Sequence, residues 1–111
     1  FYAPDPTDTH GMVRDCFFRK VTLMCCAPSF YRNLFRIATP RQLKSVRLLV
    51  SGAEKAPPEL FEHAKRFGKK MIEGYGITEC SPIVTINRSD QKPKGVGQPL
   101  EGIELCIIHP E

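Results

Sequence analysis

The chain has 111 residues, of which 41% are hydrophobic, and its 16 basic and 12 acidic side chains give a formal net charge of +4. That is one domain's worth of globular sequence, with apolar residues enough for a core and none of the bias of a disordered or low-complexity segment. The basic residues are scattered, and their one modest cluster, Lys65, Arg66, Lys69 and Lys70, falls at a predicted helix end where cations suit the macrodipole, so no nucleic-acid partner is expected.

No apolar run approaches the roughly 18 residues that a spanning helix needs, and the chain reads as soluble. It starts at Phe1 rather than at a methionine, and both ends run into patterned sequence, which suggests a piece of a longer polypeptide. The five cysteines, Cys16, Cys25, Cys26, Cys80 and Cys106, include no Cys-x-x-Cys pair and read as reduced, buried small hydrophobes of a cytosolic protein. His10, His63 and His109 share no ligand spacing with them, so no zinc site is expected.

In chain order, PDPTD offers Asp5 as a cap and Pro6 for the first turn of a helix over residues 7–19, with Met12, Val13, Cys16 and Phe17 at helical spacing and Gly11 as its weak point. VTLMCCA, residues 21–27, reads as a strand buried on both faces, ended by Pro28. Ser29 is expected to cap a second helix that turns Phe30, Leu34, Phe35 and Ala38 inward and stops at Thr39 and Pro40. SVRLLVSG, residues 45–52, is a second strand.

Pro57 and Pro58 open a third helix with Glu59 in its first turn and an inner stripe of Leu60, Phe61, Ala64 and Phe67, closed by Gly68. Residues 71–75 and 83–87 read as further strands. Strands separated by helices imply an α/β fold: an open, mostly parallel sheet with helices packed on its faces. The tail has a turn at residues 99–102 and then a predicted strand at 104–108 with no helix between. The expected division is therefore 1–94 for the α/β unit and 95–111 for the start of a following β subdomain.

Open α/β sheets bind ligands at the carboxyl ends of their strands, where two loops of this chain lie. One is SGAEKAP, residues 51–57, and the other is EGYGITECSP, residues 73–82. In each, glycine lets the backbone approach a ligand. The second adds the ring of Tyr75, which can stack on a flat heterocycle, the hydroxyl of Thr78, which can donate to a phosphate, and the carboxylate of Glu79, which can hold the magnesium that phosphates carry. Glycine turns after strands are common, however, tyrosines often cover sheet ends, and a Thr-Glu pair can cap a helix. On the residues alone, both readings stay open.

These motifs resemble those of the adenylate-forming superfamily, which comprises acyl-CoA and acyl-carrier-protein synthetases, non-ribosomal adenylation domains and luciferases. Its Tyr-Gly-x-Thr-Glu motif is matched at Tyr75, Gly76, Thr78 and Glu79, and its upstream glycine-alanine turn at Ser51, Gly52, Ala53 and Glu54. Its Gly-x-Val-Gly-x-Pro segment is matched by Gly95, Val96, Gly97 and Pro99, with one residue fewer between the glycines. PDPTD, SGAEK and EGYGITECSP together most resemble the branch acting on fatty acids, including bacterial acyl-acyl-carrier-protein synthetase/lysophospholipid acyltransferase proteins.

The resemblance implies a parent ligase that joins a fatty acid or other carboxylate to ATP with Mg2+, and then passes the acyl group to coenzyme A or acyl carrier protein. It places that parent in the cytoplasm or against the inner face of the membrane. It also implies that Gly52, Ala53 and Glu54 line the adenine side, Tyr75 stacks on adenine, Thr78 contacts phosphate and Glu79 helps hold magnesium. Gly74, Gly76 and Ile77 would border the point where the carboxylate meets the α-phosphorus.

The superfamily's phosphate loop, its ribose-binding acidic residue and its catalytic lysine have no counterpart here. The chain therefore reads as the central subdomain, inactive when isolated and completed by the remaining subdomains of the parent. Ser29 and Phe30 align with a segment bordering the acyl pocket, although a cap and a core aromatic explain them equally well. Cys80 is read as a packing residue and His109 as an exposed turn residue. The other reading is a non-catalytic α/β module that binds a nucleotide or serves as an interaction surface.

Overall fold

The computed structural model describes residues 4–88 and 94–110. Its elements in chain order are α1 (Thr9–Phe18), β1 (Leu23–Cys26), α2 (Pro28–Ile37), β2 (Leu48–Ser51), α3 (Pro58–Arg66), β3 (Lys70–Gly76), a 3-10 turn (Thr78–Cys80), β4 (Ile83–Ile86) and β5 (Gln98–Pro99). Two helix starts differ from expectation. Asp8, not Asp5, caps α1, its Oδ1 accepting the Gly11 N–H at 2.9 Å, while Asp5 closes a local turn with Thr7. At α2 it is Pro28, preset for helical φ and lacking an N–H to satisfy, that opens the helix, and no side chain caps it.

The strands lie in sequence order, β1-β2-β3-β4-β5. The first three are parallel, with Met24 opposite Leu49 and Leu49 opposite Met71. β4 and β5 then run antiparallel. The reversal follows from connection length, because a parallel crossover needs about a dozen residues or more and only the short 3-10 turn separates β3 from β4. The sheet thus keeps its α/β character while its last two strands fold back.

One core serves all three helices. Val13 and Cys16 of α1, Tyr31, Leu34 and Phe35 of α2, and Leu60 and Ala64 of α3 pack together with Leu49 and Met71 of the sheet. Right-handed crossovers that advance the sheet in one direction put their helices on the same face. β1 is therefore not buried on both sides as its apolar run suggests: Leu23 is 51% exposed and Cys25 is exposed. Leu43 and Val46, in the turns between α2 and β2, are fully or nearly fully buried, so this connection plugs the core.

The central link is Tyr31, which has no solvent exposure. Its hydroxyl donates to the carbonyls of Met24 at 2.7 Å and Val50 at 2.9 Å, joining α2 to β1 and β2 at once. Burial raises its phenol far above the ordinary range, so it remains a donor. Its ring stacks on Phe35, which in turn meets Phe67 at 5.0 Å. Burial also pushes the Cys26 thiol up to about 11, against a smaller opposing contribution from the Tyr31 hydroxyl, and raises Cys16; both are protonated and inert at neutral pH. Cys25, Cys80 and Cys106 are exposed, contrary to the reading of all five as buried.

Beyond β5, Leu100 N–H donates to Val84 O and a turn follows, but the strand expected at residues 104–108 has no regular structure. No described neighbour pairs with it, and Ile107 and Ile108 stand more than 80% exposed. Among the described residues no helix is long and apolar enough to cross a membrane.

Replacing Tyr31 with Phe keeps the ring and removes the shared donor, and is expected to lower unfolding free energy by roughly 1–3 kcal/mol. An unchanged denaturation midpoint would exclude this hydroxyl as a link. Ser51 Oγ, by contrast, is buried with no hydrogen-bond partner among the described residues. Ser51→Ala should therefore leave the midpoint unchanged or raise it, and a clear drop in the same measurement would contradict that assignment.

Candidate functional site

Parallel register brings the carboxyl ends of β1, β2 and β3 level, with Cys26 opposite Ser51 and Ser51 opposite Glu73. The chain leaving β2 and the end of β3 consequently lie side by side. They border a cavity of about 480 Å³ lined by Ala53, Glu54, Lys55, Glu73, Gly74, Tyr75, Gly76, Gly95 and Val96. Three segments distant in sequence thus share one site.

The first wall is the loop 51–56. Its sharp turn is made by Ala53, at φ 70° in the left-handed region, and not by Gly52, which is why the backbone needs an external hold here. Glu73 supplies it: its Oε1 accepts the Ala56 N–H at 2.9 Å. A carboxylate to backbone N–H bond is charge-assisted and stronger than a neutral one.

The second wall is β3, which runs through both glycines of EGYG instead of stopping at Tyr75. Gly76 is required by contact, since a Cβ there would overlap the Pro82 carbonyl as the chain doubles back. Tyr75 lines the cavity and keeps 47% of its surface exposed. Ile77 is 43% exposed, and Thr78 and Glu79 lie on the exposed 3-10 turn that follows. The Glu79 side chain is exposed and forms no hydrogen bond or ion pair with a described residue.

The third wall is the turn bearing Gly95 and Val96, held by two side chains of the β4 segment. Thr85 Oγ1 donates to Val96 O at 2.8 Å. Asn87 Nδ2 donates to Glu73 O at 3.2 Å and Gly95 O at 3.0 Å, while its Oδ1 accepts the Lys94 N–H at 2.9 Å. Gly97, at φ 96°, allows the turn to press on β4, where a Cβ would overlap the Ile86 backbone.

Of the nine residues to which the resemblance gives nucleotide, carboxylate or metal roles, Ala53, Glu54, Gly74, Tyr75 and Gly76 line this cavity; Gly52, Ile77, Thr78 and Glu79 flank it in the chain without lining it. Glu73, Thr85 and Asn87 were missed. Their only signal in the sequence is polarity at the ends of apolar strands, which does not reveal what they bond.

The sequence matches the AMP-binding enzyme family over residues 1–111. A long-chain-fatty-acid–CoA ligase of Yersinia pestis is 34% identical over 110 residues, covering 93% of this chain and 19% of that protein. The 2-succinylbenzoate–CoA ligase of Haemophilus influenzae is 37% identical over 67 residues, 60% of this chain and 15% of its own length. The crystal structure of the anthranilate CoA ligase AuaEII in complex with anthranoyl-AMP has the same mixed α/β arrangement, with a TM-score of 0.75 at 26% identity over 92% of this chain and 20% of that one. This chain therefore spans a fifth or less of each. With motif order, fold and a match along all 111 residues in agreement, the chain belongs to the AMP-binding enzyme family.

Proposed function

We propose that the chain forms the central part of an AMP-forming acid–thiol ligase and that the three-walled cavity receives the adenine end of ATP. The observation that carries this reading is the convergence of the SGAEK, EGYG and GVG segments on one cavity beside an exposed aromatic ring. In the proposed reaction a carboxylate oxygen bonds to the α-phosphorus of ATP as the bond to the bridging oxygen breaks, releasing pyrophosphate. A thiol sulfur then bonds to the acyl carbon and AMP leaves.

In this reading Gly52, Ala53 and Glu54 flank the base on one side and Tyr75 stacks on it. Thr78 donates to a phosphate oxygen, and Gly74, Gly76 and Ile77 border the reacting carboxylate. Magnesium is commonly held by one or two carboxylates with phosphates and water, and the exposed turn after β3 carries one such carboxylate. The unpaired Glu79 would be that carboxylate, and the ion would offset phosphate charge.

We further propose a fatty acid as the substrate and coenzyme A or acyl carrier protein as the acceptor, in an enzyme of the cytoplasm or the inner membrane face. The Yersinia pestis relative supports the fatty acid. Residues 1–94 would be the α/β subdomain and 95–111 the entry into a β subdomain. The exposed Ile107 and Ile108 support that continuation.

In the full-length ligase, Glu79→Gln is expected to lower adenylation about a hundredfold or more with folding intact, because a charge is lost and little volume changes. Pyrophosphate release at limiting magnesium is the measurement, and parental activity there would exclude the metal role. Tyr75→Phe should keep most ATP affinity, whereas Tyr75→Leu should lose roughly 0.5–1.5 kcal/mol. ATP titration beside a thermal melt separates the readings: a leucine variant that melts early yet binds ATP normally removes Tyr75 from the site.

A further inference from the structure

We propose that Asn87 is a positioning residue for the nucleotide, setting the Gly95–Val96 wall of the cavity against β3 without touching the ligand itself; this rests on the cavity being the adenine site. Asn87 is 5% exposed and is not among the lining residues. All three of its side-chain hydrogen bonds go to backbone groups at the site's edge: the carbonyls of Glu73 and Gly95 and the N–H of Lys94. Its own N–H donates to Glu73 O at 3.0 Å, so the Glu73 carbonyl accepts from both the main chain and the side chain of Asn87.

The same residue, Glu73, holds the opposite wall by its carboxylate on Ala56 N–H. The two walls are thereby fixed to one point of β3, and their separation is set by bonds of fixed length. An asparagine suits this place because its planar, uncharged amide offers two N–H donors and a carbonyl acceptor, whereas an aspartate or a hydroxyl offers at most one donor. Thr85, bonded to Val96 O, is the second fastening of the same wall. With the wall released, the cavity widens on its Gly95–Val96 side, and the effect falls first on the base held there.

The test uses the full-length ligase with Asn87→Ala and, as a near-isosteric second variant, Thr85→Val, with KM measured separately for ATP, the carboxylate and the thiol. Asn87→Ala is expected to raise KM for ATP about tenfold or more and to narrow the preference for ATP over GTP, with the other two KM values within about twofold; displacement of a bound group by ~1 Å has effects of this order or larger. Thr85→Val should shift the same two quantities in the same direction by less. Should Asn87→Ala fail to fold, Thr85→Val carries the test.

A lowered melting temperature with KM for ATP and nucleotide preference unchanged overturns the proposal, as does an equal rise in all three KM values. Tyr75→Leu, run in parallel, separates the two levels of inference. If it weakens ATP binding while Asn87→Ala and Thr85→Val do not, the positioning role falls and the nucleotide reading stands. If none of the three affects ATP, the nucleotide reading falls and the positioning role with it.

Discussion

A single hydroxyl hydrogen, shared between the carbonyls of Met24 and Val50, ties helix α2 to two strands. The rest of the fold is arranged around that contact. Leu34 and Phe35 follow Tyr31 on the inward side of α2, Leu49 lies beneath them, and Phe35 carries the packing on to Phe67 after α3. A phenylalanine would fill the same space, but only a phenol brings a donor to Met24 and Val50, two residues and one residue before the carboxyl ends of β1 and β2, the end of the sheet at which the cavity opens.

From that fixed end the site is assembled by backbone geometry more than by reactive side chains. Level strand ends bring the loop after β2 beside β3, Glu73 closes the loop, and Asn87 and Thr85 fasten the returning turn. Tyr75 and Glu79 stay exposed within this frame. The pattern suits a largely preformed pocket, in which walls of fixed backbone present a shape while the exposed groups remain free to bond.

The cysteines fit the same division. Cys16, on the inner side of α1, belongs to the core, Cys26, at the end of β1, packs against it, and burial keeps both thiols protonated. Cys25 alternates to the uncovered face of β1, two residues from the exposed Leu23. That face is bare because α1, α2 and α3 all contribute to the core on the other side.

Features that depend on neighbours along the chain were legible in the residues alone. Apolar spacing marked the three helices, short apolar runs marked β1 to β4, Pro57 and Pro58 marked the start of α3, and the glycine-bearing segments at residues 51–57 and 73–82 marked where a ligand could approach. Tertiary structure decided what depends on residues far apart in sequence: that the helices share one face, that β4 reverses, and that residues 104–108 meet no pairing strand among the described residues. It also decided the roles of Tyr31, Glu73 and Asn87, whose hydrogen bonds reach 7 to 19 positions along the chain. A polar side chain shows its type in the sequence, but the group it bonds is chosen only when the sheet's register brings that group within reach.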